Sequence, residues 1–235
     1  MTEQRRGSVR GEAAMPAQRR GSSTQNSTQI RGYKMVTIID YEAGNIKSVE
    51  NAVRFLGRDA VLTRDPEVIL SSDHCILPGV GAFGDAMARL KRFGLDEVIK
   101  ETVKREIPFL GICLGLQLLF EASEESPGTE GLGILKGKIL RIPDSDGRKV
   151  PQIGWNDLSF PRPGRLFKGI DEGAFVYFVH SYYLKASYPA IVTARTGYGV
   201  AIDASVESGN VFACQFHPEK SEAVGMKILG NFLEI

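Results

Sequence analysis

The feature that most constrains this chain is a series of short, wholly apolar segments alternating with stretches of helical periodicity. Residues 35–41 (Met-Val-Thr-Ile-Ile-Asp-Tyr) read as an apolar strand, and 43–56 place Ile46, Val49, Val53 and Leu56 on one helical face, with Gly57 as the stop. A short strand at 60–63 follows, and Asp65-Pro66-Glu67 opens a short helix with Pro in its first turn. Residues 74–77 form another strand, 86–93 and 95–105 are helical, and 107–110 (Ile-Pro-Phe-Leu) is a strand again. Strands with one wet face alternate apolar and polar residues; these do not, so helices must cover both faces of a largely parallel sheet.

Beyond about residue 130 the texture changes. Strands are expected at 134–142, 158–160, 175–179, 182–186, 191–195 and 211–216, separated by Gly, Pro and polar turns, and 224–233 is an amphipathic helix. No repeat or linker interrupts 35–235. The expected architecture is one α/β domain with an open, mixed, mainly parallel sheet and helices on both faces.

Residues 1–34 do not fit that pattern. They hold seven Lys/Arg against two Asp/Glu, are rich in Ser, Thr, Gln and Gly, and have few large apolar residues. Such a segment cannot bury enough to fold alone, so it reads as a disordered basic extension, or as a start assigned upstream of Met35. The rest of the chain is net acidic, with no basic face for nucleic acid, and no apolar stretch is long enough to span a membrane. Cys75 and Cys214 lie in apolar strands as small core residues, and no Cys/His cluster has metal-ligand spacing.

The third cysteine differs. Gly111-Ile112-Cys113-Leu114-Gly115-Leu116-Gln117 follows an apolar strand and opens an apolar helix (Leu118, Leu119, Phe120). This is the layout of a nucleophile elbow with Cys as the nucleophile. Glycines two residues either side of Cys113 allow close packing and unusual backbone angles, and the start of a helix favours thiolate. About a hundred residues later comes Gln215-Phe216-His217-Pro218-Glu219-Lys220-Ser221. Pro218 pushes His217 toward extended chain, where residues two apart share a side, so Glu219 can orient the His217 imidazole. Cys113, His217 and Glu219 then supply nucleophile, base and orienting acid. Both motifs fall at the C-terminal ends of expected strands, where open α/β sheets place their sites.

The two motifs resemble those of the class I (triad) glutamine amidotransferases, a family with a flavodoxin-like open sheet. Three further segments are similar to one branch of it, the glutaminase subunits of the synthase that makes imidazole glycerol phosphate in histidine biosynthesis. They are Pro78-Gly79-Val80-Gly81-Ala82-Phe83, Pro151-Gln152-Ile153-Gly154-Trp155-Asn156 and Tyr177-Phe178-Val179-His180-Ser181-Tyr182; Ile39-Asp40-Tyr41-Glu42-Ala43-Gly44-Asn45 is similar as well. The resemblance covers 35–235 and none of 1–34. Glu42 and Gln152 stand where Gly and His are more usual, and Leu116 where several sister glutaminases have His.

The resemblance implies that the Val80 and Leu114 N–H groups form an oxyanion hole, and that Gly81, Gln117, His180, Ser181 and Tyr182 bind L-glutamine. It puts Asn45, Trp155 and Lys220 on a partner-facing surface. Trp155 would sit in a Gly-flanked loop there, and Lys220, next to Glu219 in extended chain, would point away from Cys113. The implied reaction is hydrolysis of glutamine with delivery of ammonia to a separate (β/α)8-barrel cyclase subunit, in the cytoplasm, with no metal or organic cofactor. Two alternatives stay open: the glutaminase subunit of another synthase, for anthranilate or pyridoxal phosphate, and a catalytically silent scaffolding homologue.

Overall fold

Parallel pairing begins at the first apolar segment. In the computed structural model, which describes residues 35–144 and 147–235, β1 (Met35–Ile39) pairs in parallel with β2 (Asp59–Thr63) on one side and β3 (His74–Leu77) on the other. β4 (Phe109–Ile112) adds to β3, again parallel. The expectations for 1–34 lie outside the described residues.

Between these strands run α1 (Ile46–Phe55), α2 (Pro66–Leu70), α3 (Phe83–Arg92) and α4 (Leu95–Lys104), and α5 (Leu114–Leu118) leaves the end of β4. The Asp65 side chain accepts the Glu67 N–H and caps α2 at its Pro-led first turn. The apolar segment at 35–41 is strand only to Ile39; the Asp40 N–H still bonds the Thr63 carbonyl at 2.9 Å, and the backbone then turns left-handed at Glu42 (φ 65) and Asn45 (φ 64).

The second half of the chain contributes two small sheets and three more strands of the large one. β5 (Ala122–Ser123), β6 (Gly137–Arg141) and β9 (Tyr182–Ala186) form one small sheet, and β7 (Gln152–Asp157) with β8 (Phe175–His180) form the other. β10 (Val192–Gly197), β11 (Ala201–Ser208) and β12 (Val211–Cys214) complete a seven-stranded sheet of order β10-β11-β12-β4-β3-β1-β2. β12 is parallel to β4, while β11 and β10 are antiparallel. α6 (Glu222–Leu233) ends the fold.

Alternate residues of each central strand feed opposite cores. Cys75, Leu77, Phe109, Val211 and Ala213 pack on the side of α3 and α4; Ile76, Leu110, Ile112, Phe212 and Cys214 pack on the side of α1 and α6. This is the two-faced burial that the uniformly apolar strands required. Among the described residues, no helix is long and apolar enough to cross a membrane.

Three expectations need correction. The strand expected at 158–160 is an isolated bridge, Ser159 to Arg195, and the real strand, β7, precedes it. β11 is not among the expected strands, because one of its two buried faces carries polar residues. Asp203 is 4% exposed, pairs with Arg195 at 2.9 Å and accepts the Ala186 N–H, while Ser205 bonds the Ala213 carbonyl. The elbow helix is also shorter than its apolar run. The carbonyls of Leu118, Leu119 and Phe120 accept from Leu132, Leu135 and Gly133, so the chain leaves the helix to meet that segment.

Candidate active site

Cys113 sits between β4 and α5 at φ 56, ψ −108, a backbone conformation that L residues rarely adopt and that surrounding contacts must hold. The flanking glycines supply those contacts through close approach. A Cβ on Gly115 would lie 1.8 Å from the Leu77 carbonyl oxygen, and one on Gly111 would lie 2.7 Å from the Gly115 oxygen. The unusual angles fall on the cysteine itself and the tight packing on its neighbours. The Cys113 N–H donates to the Cys214 carbonyl at 2.8 Å, which ties the elbow to β12.

Since β4 and β12 are parallel neighbours with Ile112 opposite Cys214, the residues just beyond their C-terminal ends meet. His217 and Glu219 arrive there with side chains 2% and 0% exposed, and Nδ1 of His217 donates to Glu219 Oε1 at 2.8 Å. The pairing matches the sequence reading, but its backbone reason does not. His217 is extended, while Pro218–Lys220 forms a 3-10 turn, and that turn brings the carboxylate back to the imidazole. The same Oε1 accepts from Asn45 Nδ2 at 2.8 Å. Burial works to lower the pKa of His217, but its interaction with Cys113 and its hydrogen bond to Glu219 outweigh burial and push it up to about 10. Both interactions favour the protonated ring, whose Nε2 has no hydrogen-bond partner among the described residues.

A cavity of about 280 Å3 opens on Cys113. Val80, Gly81, Leu114, Gln117, His180, Ser181 and Tyr182, all expected around the site, line it. So do Glu125, Pro151 and Val179, which the sequence reading did not single out. Glu125 is the one carboxylate on the wall among the described residues, and its Oε2 accepts the Phe83 N–H at 2.8 Å. Its position after Ser123 in a polar turn gave no signal of this. His180 Nδ1 and Gln117 Nε2 both bond the Tyr182 carbonyl, at 2.8 and 3.1 Å. A carbonyl only accepts, so the His180 proton is on Nδ1. Burial, its largest influence, pushes the His180 pKa down to about 4, so the ring is neutral and its Nε2 is an acceptor.

The turn at 78–81 is held differently. The Tyr41 hydroxyl donates to the Pro78 carbonyl at 2.9 Å, Val80 is 38% exposed and Gly81 has φ +102. The Leu114 N–H, one of the two expected oxyanion donors, is taken up by the Gly79 carbonyl at 3.3 Å.

Of the residues expected to face a partner, Trp155 lies within β7 and not in a loop; it is 46% exposed and meets Tyr177 edge-on, ring centres 6.1 Å apart. Ile153 and Phe175 are exposed on the same side of the β7–β8 ribbon. Lys220 is exposed on the 3-10 turn; the argument from extended chain fails for it as it did for Glu219. Asn45 belongs to the hydrogen-bond network of Glu219 as well as to the surface. Of the departures, Glu42 holds a left-handed angle that favours Gly, bonded there to Arg64 and Arg92. Gln152 and Leu116 are buried. Among the described residues, no group of His, Cys, Asp and Glu is arranged to hold a metal ion.

Comparison with known proteins identifies the family. The family model for class-I glutamine amidotransferases matches residues 37–235. Among solved structures, a glutamine amidotransferase superposes with a TM-score of 0.67 at 22% identity, covering 85% of this chain and 97% of that one. PurLQS from Thermotoga maritima superposes with a TM-score of 0.66 at 23% identity, covering 86% and 99%. The chain belongs to the class-I glutamine amidotransferase family. Within it, the imidazole glycerol phosphate synthase subunit HisH of Methanothermobacter thermautotrophicus is 49% identical over 201 residues, 86% of this chain and 98% of the relative. HisH of Moorella thermoacetica is 50% identical over 200 residues, 85% and 94%. Identity at this level across nearly the whole of each relative puts the chain on the HisH branch.

Proposed function

We propose that this chain hydrolyses L-glutamine to glutamate and ammonia as the glutaminase subunit of an imidazole glycerol phosphate synthase, and passes the ammonia to a (β/α)8-barrel cyclase subunit. The observation that carries the reading is Cys113 on the wall of a cavity that Gln117, His180, Ser181 and Tyr182 also line, with the His217–Glu219 pair interacting with its sulfur.

The steps follow from those positions. The Cys113 thiolate attacks the side-chain amide carbon, and the carbonyl electrons move onto oxygen. As the tetrahedral species collapses, the imidazolium of His217 gives its proton to the leaving nitrogen, so ammonia departs and a thioester remains. Neutral His217 then takes a proton from water, hydroxide adds to the thioester, and glutamate leaves as the thiolate re-forms. Glu219 holds the imidazole by Nδ1 throughout. In the pocket, the Glu125 carboxylate suits the α-ammonium of glutamine. Two backbone donors on the developing oxyanion would each contribute roughly 3–4 kcal/mol, and Val80 with Leu114 is the pair in reach once the Leu114 N–H is released from Gly79.

Ammonia has to reach its acceptor unprotonated, so the acceptor site must adjoin this one. The exposed apolar side of the β7–β8 ribbon (Ile153, Trp155, Phe175) is the surface we assign to the cyclase subunit, with a cytoplasmic setting. Relatives named as HisH favour this over the anthranilate and pyridoxal phosphate synthases, and the intact Cys113, His217 and Glu219 favour catalysis over scaffolding. A glutamine-analogue electrophile such as a diazo-ketone should label Cys113 alone and stop glutamate release in proportion. Full inhibition with Cys113 unlabelled would refute the assignment.

A further inference from the structure

Gln215 has no part in the triad or the cavity wall, yet its side chain is fully buried between them. Its Nε2 lies 3.7 Å from the Cys113 sulfur, and its Oε1 is 3.1 Å from Gln117 Nε2. It follows β12 directly and precedes His217 by two residues, and the side chains of both reach Cys113.

The polarity of this connection is fixed from its far end. The Tyr182 backbone carbonyl can only accept, so the Gln117 atom 3.1 Å from it is the NH2 nitrogen. The second N–H of that nitrogen reaches Gln215, whose facing atom must then be oxygen. Gln215 consequently turns its own NH2 toward the sulfur, which accepts in this bond, while the Val179 carbonyl lies 4.0 Å from the sulfur as its other polar contact. A neutral thiol accepts weakly and a thiolate strongly, so an N–H aimed at sulfur favours the nucleophilic form.

We propose that Gln215 is a positioning residue for the nucleophile: its amide N–H donates to the Cys113 sulfur and holds it in line with the cavity, and Gln117, anchored on the Tyr182 carbonyl, sets the direction of that bond. This rests on Cys113 being the nucleophile. The other ionisable groups around the sulfur are His217 and Glu219 beyond β12, Cys214 at its end, Tyr41 beyond β1, and His180, Tyr182 and Glu125 on the cavity wall; all are retained in the variants below.

The test is the pH dependence of Cys113 alkylation by iodoacetamide in the full chain, with Cys113→Ala as the blank and thermal unfolding as the check on folding. Gln215→Glu keeps an oxygen for Gln117 but sets a carboxylate against the sulfur; Gln215→Leu removes the donor. Both should move the midpoint of the alkylation profile upward by roughly one unit or more, the equivalent of one charge-assisted hydrogen bond, with the larger shift in the Glu variant. In the wild-type chain, the NMR signals of the Gln215 side-chain NH2 should shift when Cys113 is alkylated, a readout that needs no variant to fold. A folded variant whose profile superimposes on wild type, or an NH2 signal indifferent to alkylation, overturns the proposal. A blank that alkylates as fast as wild type overturns the assignment of the nucleophile, and the proposal with it.

Discussion

The turn bearing Cys113 and the turn at 78–81 leave adjacent parallel strands, are both rich in glycine and line one cavity, yet they are fastened in different ways. The elbow is locked by backbone against backbone: Gly115 lies on Leu77, Gly111 on Gly115, and the Cys113 N–H on Cys214. Moving it would break the sheet. The neighbouring turn is fastened by one tyrosine hydroxyl and by the Gly79–Leu114 bond, and its Val80 reaches solvent. Rotating the peptide between Gly79 and Val80 would withdraw the carbonyl and present a second N–H, at the cost of one ordinary hydrogen bond, about 1 kcal/mol. On the proposed roles, the Cys113 turn is fixed in place, while the second oxyanion donor waits on something that makes the rotation favourable. A cyclase subunit docked beside Val80 would do so.

The sharpest break of this comparison is chemical. Cys113→Ala should reduce glutamine-dependent synthesis by at least about a thousandfold, while the complex still works with added ammonia; a steady-state assay with each nitrogen source decides it. Next in size is activation by the partner. If the turn at 78–81 waits on the complex, glutamate release should rise by about a hundredfold or more on adding the acceptor-loaded cyclase, the worth of one oxyanion donor. Equal rates with and without the partner would mean that the turn needs no rearrangement.

Two glycine substitutions separate the halves. Gly115→Ala meets a backbone oxygen and should lower stability by about 3 kcal/mol or prevent folding. Gly81→Ala has open space and only the strain of φ +102, so it should lower stability by about 1–2 kcal/mol and show its main effect in partner-stimulated turnover. Urea unfolding beside the activity assay compares them; a reversed order would contradict the division.

His180 gives a pH test of the pocket. Its folded pKa of about 4 lies below the unfolded value of about 6.5, so the unfolded chain binds the extra proton between them. Its contribution is complete above the unfolded pKa and fades as pH falls toward 4, by about 3 kcal/mol in all. Unfolding free energies for wild type and His180→Asn should diverge in slope in that window; parallel curves would refute the buried neutral ring. The smallest effect belongs to the surface. Trp155→Ala should weaken cyclase binding by about 2 kcal/mol by titration calorimetry, and Cys113 labelling should be unchanged.

What could be read from the sequence was what consecutive residues spell out. Gly111, Cys113 and Gly115 state the backbone needs of an elbow within five positions, and His217-Pro218-Glu219 states a base and its acid. Even there, the pairing of His217 with Glu219 was legible while the 3-10 turn that makes it was not, since extended chain and a tight turn both bring residues two apart to one side. Contacts between distant segments left no local trace. Asn45 meets Glu219 across 174 positions and Gln215 meets Cys113 across 102. β11 hid for another reason: Asp203 and Ser205 look like surface residues until Arg195 and the Ala213 carbonyl satisfy them in the interior.

The position of β12 in the large sheet has a consequence for the birth of the protein. This strand lies between β11 and β4, so the elbow, made early, borders an empty slot until a segment about a hundred residues later slides in beside it. A ribosome that has finished the cysteine turn has not yet made the base, the acid or the amide that face it. The nascent chain therefore cannot release ammonia during its own synthesis, and a chain truncated before residue 211 would hold its nucleophile without the means to use it.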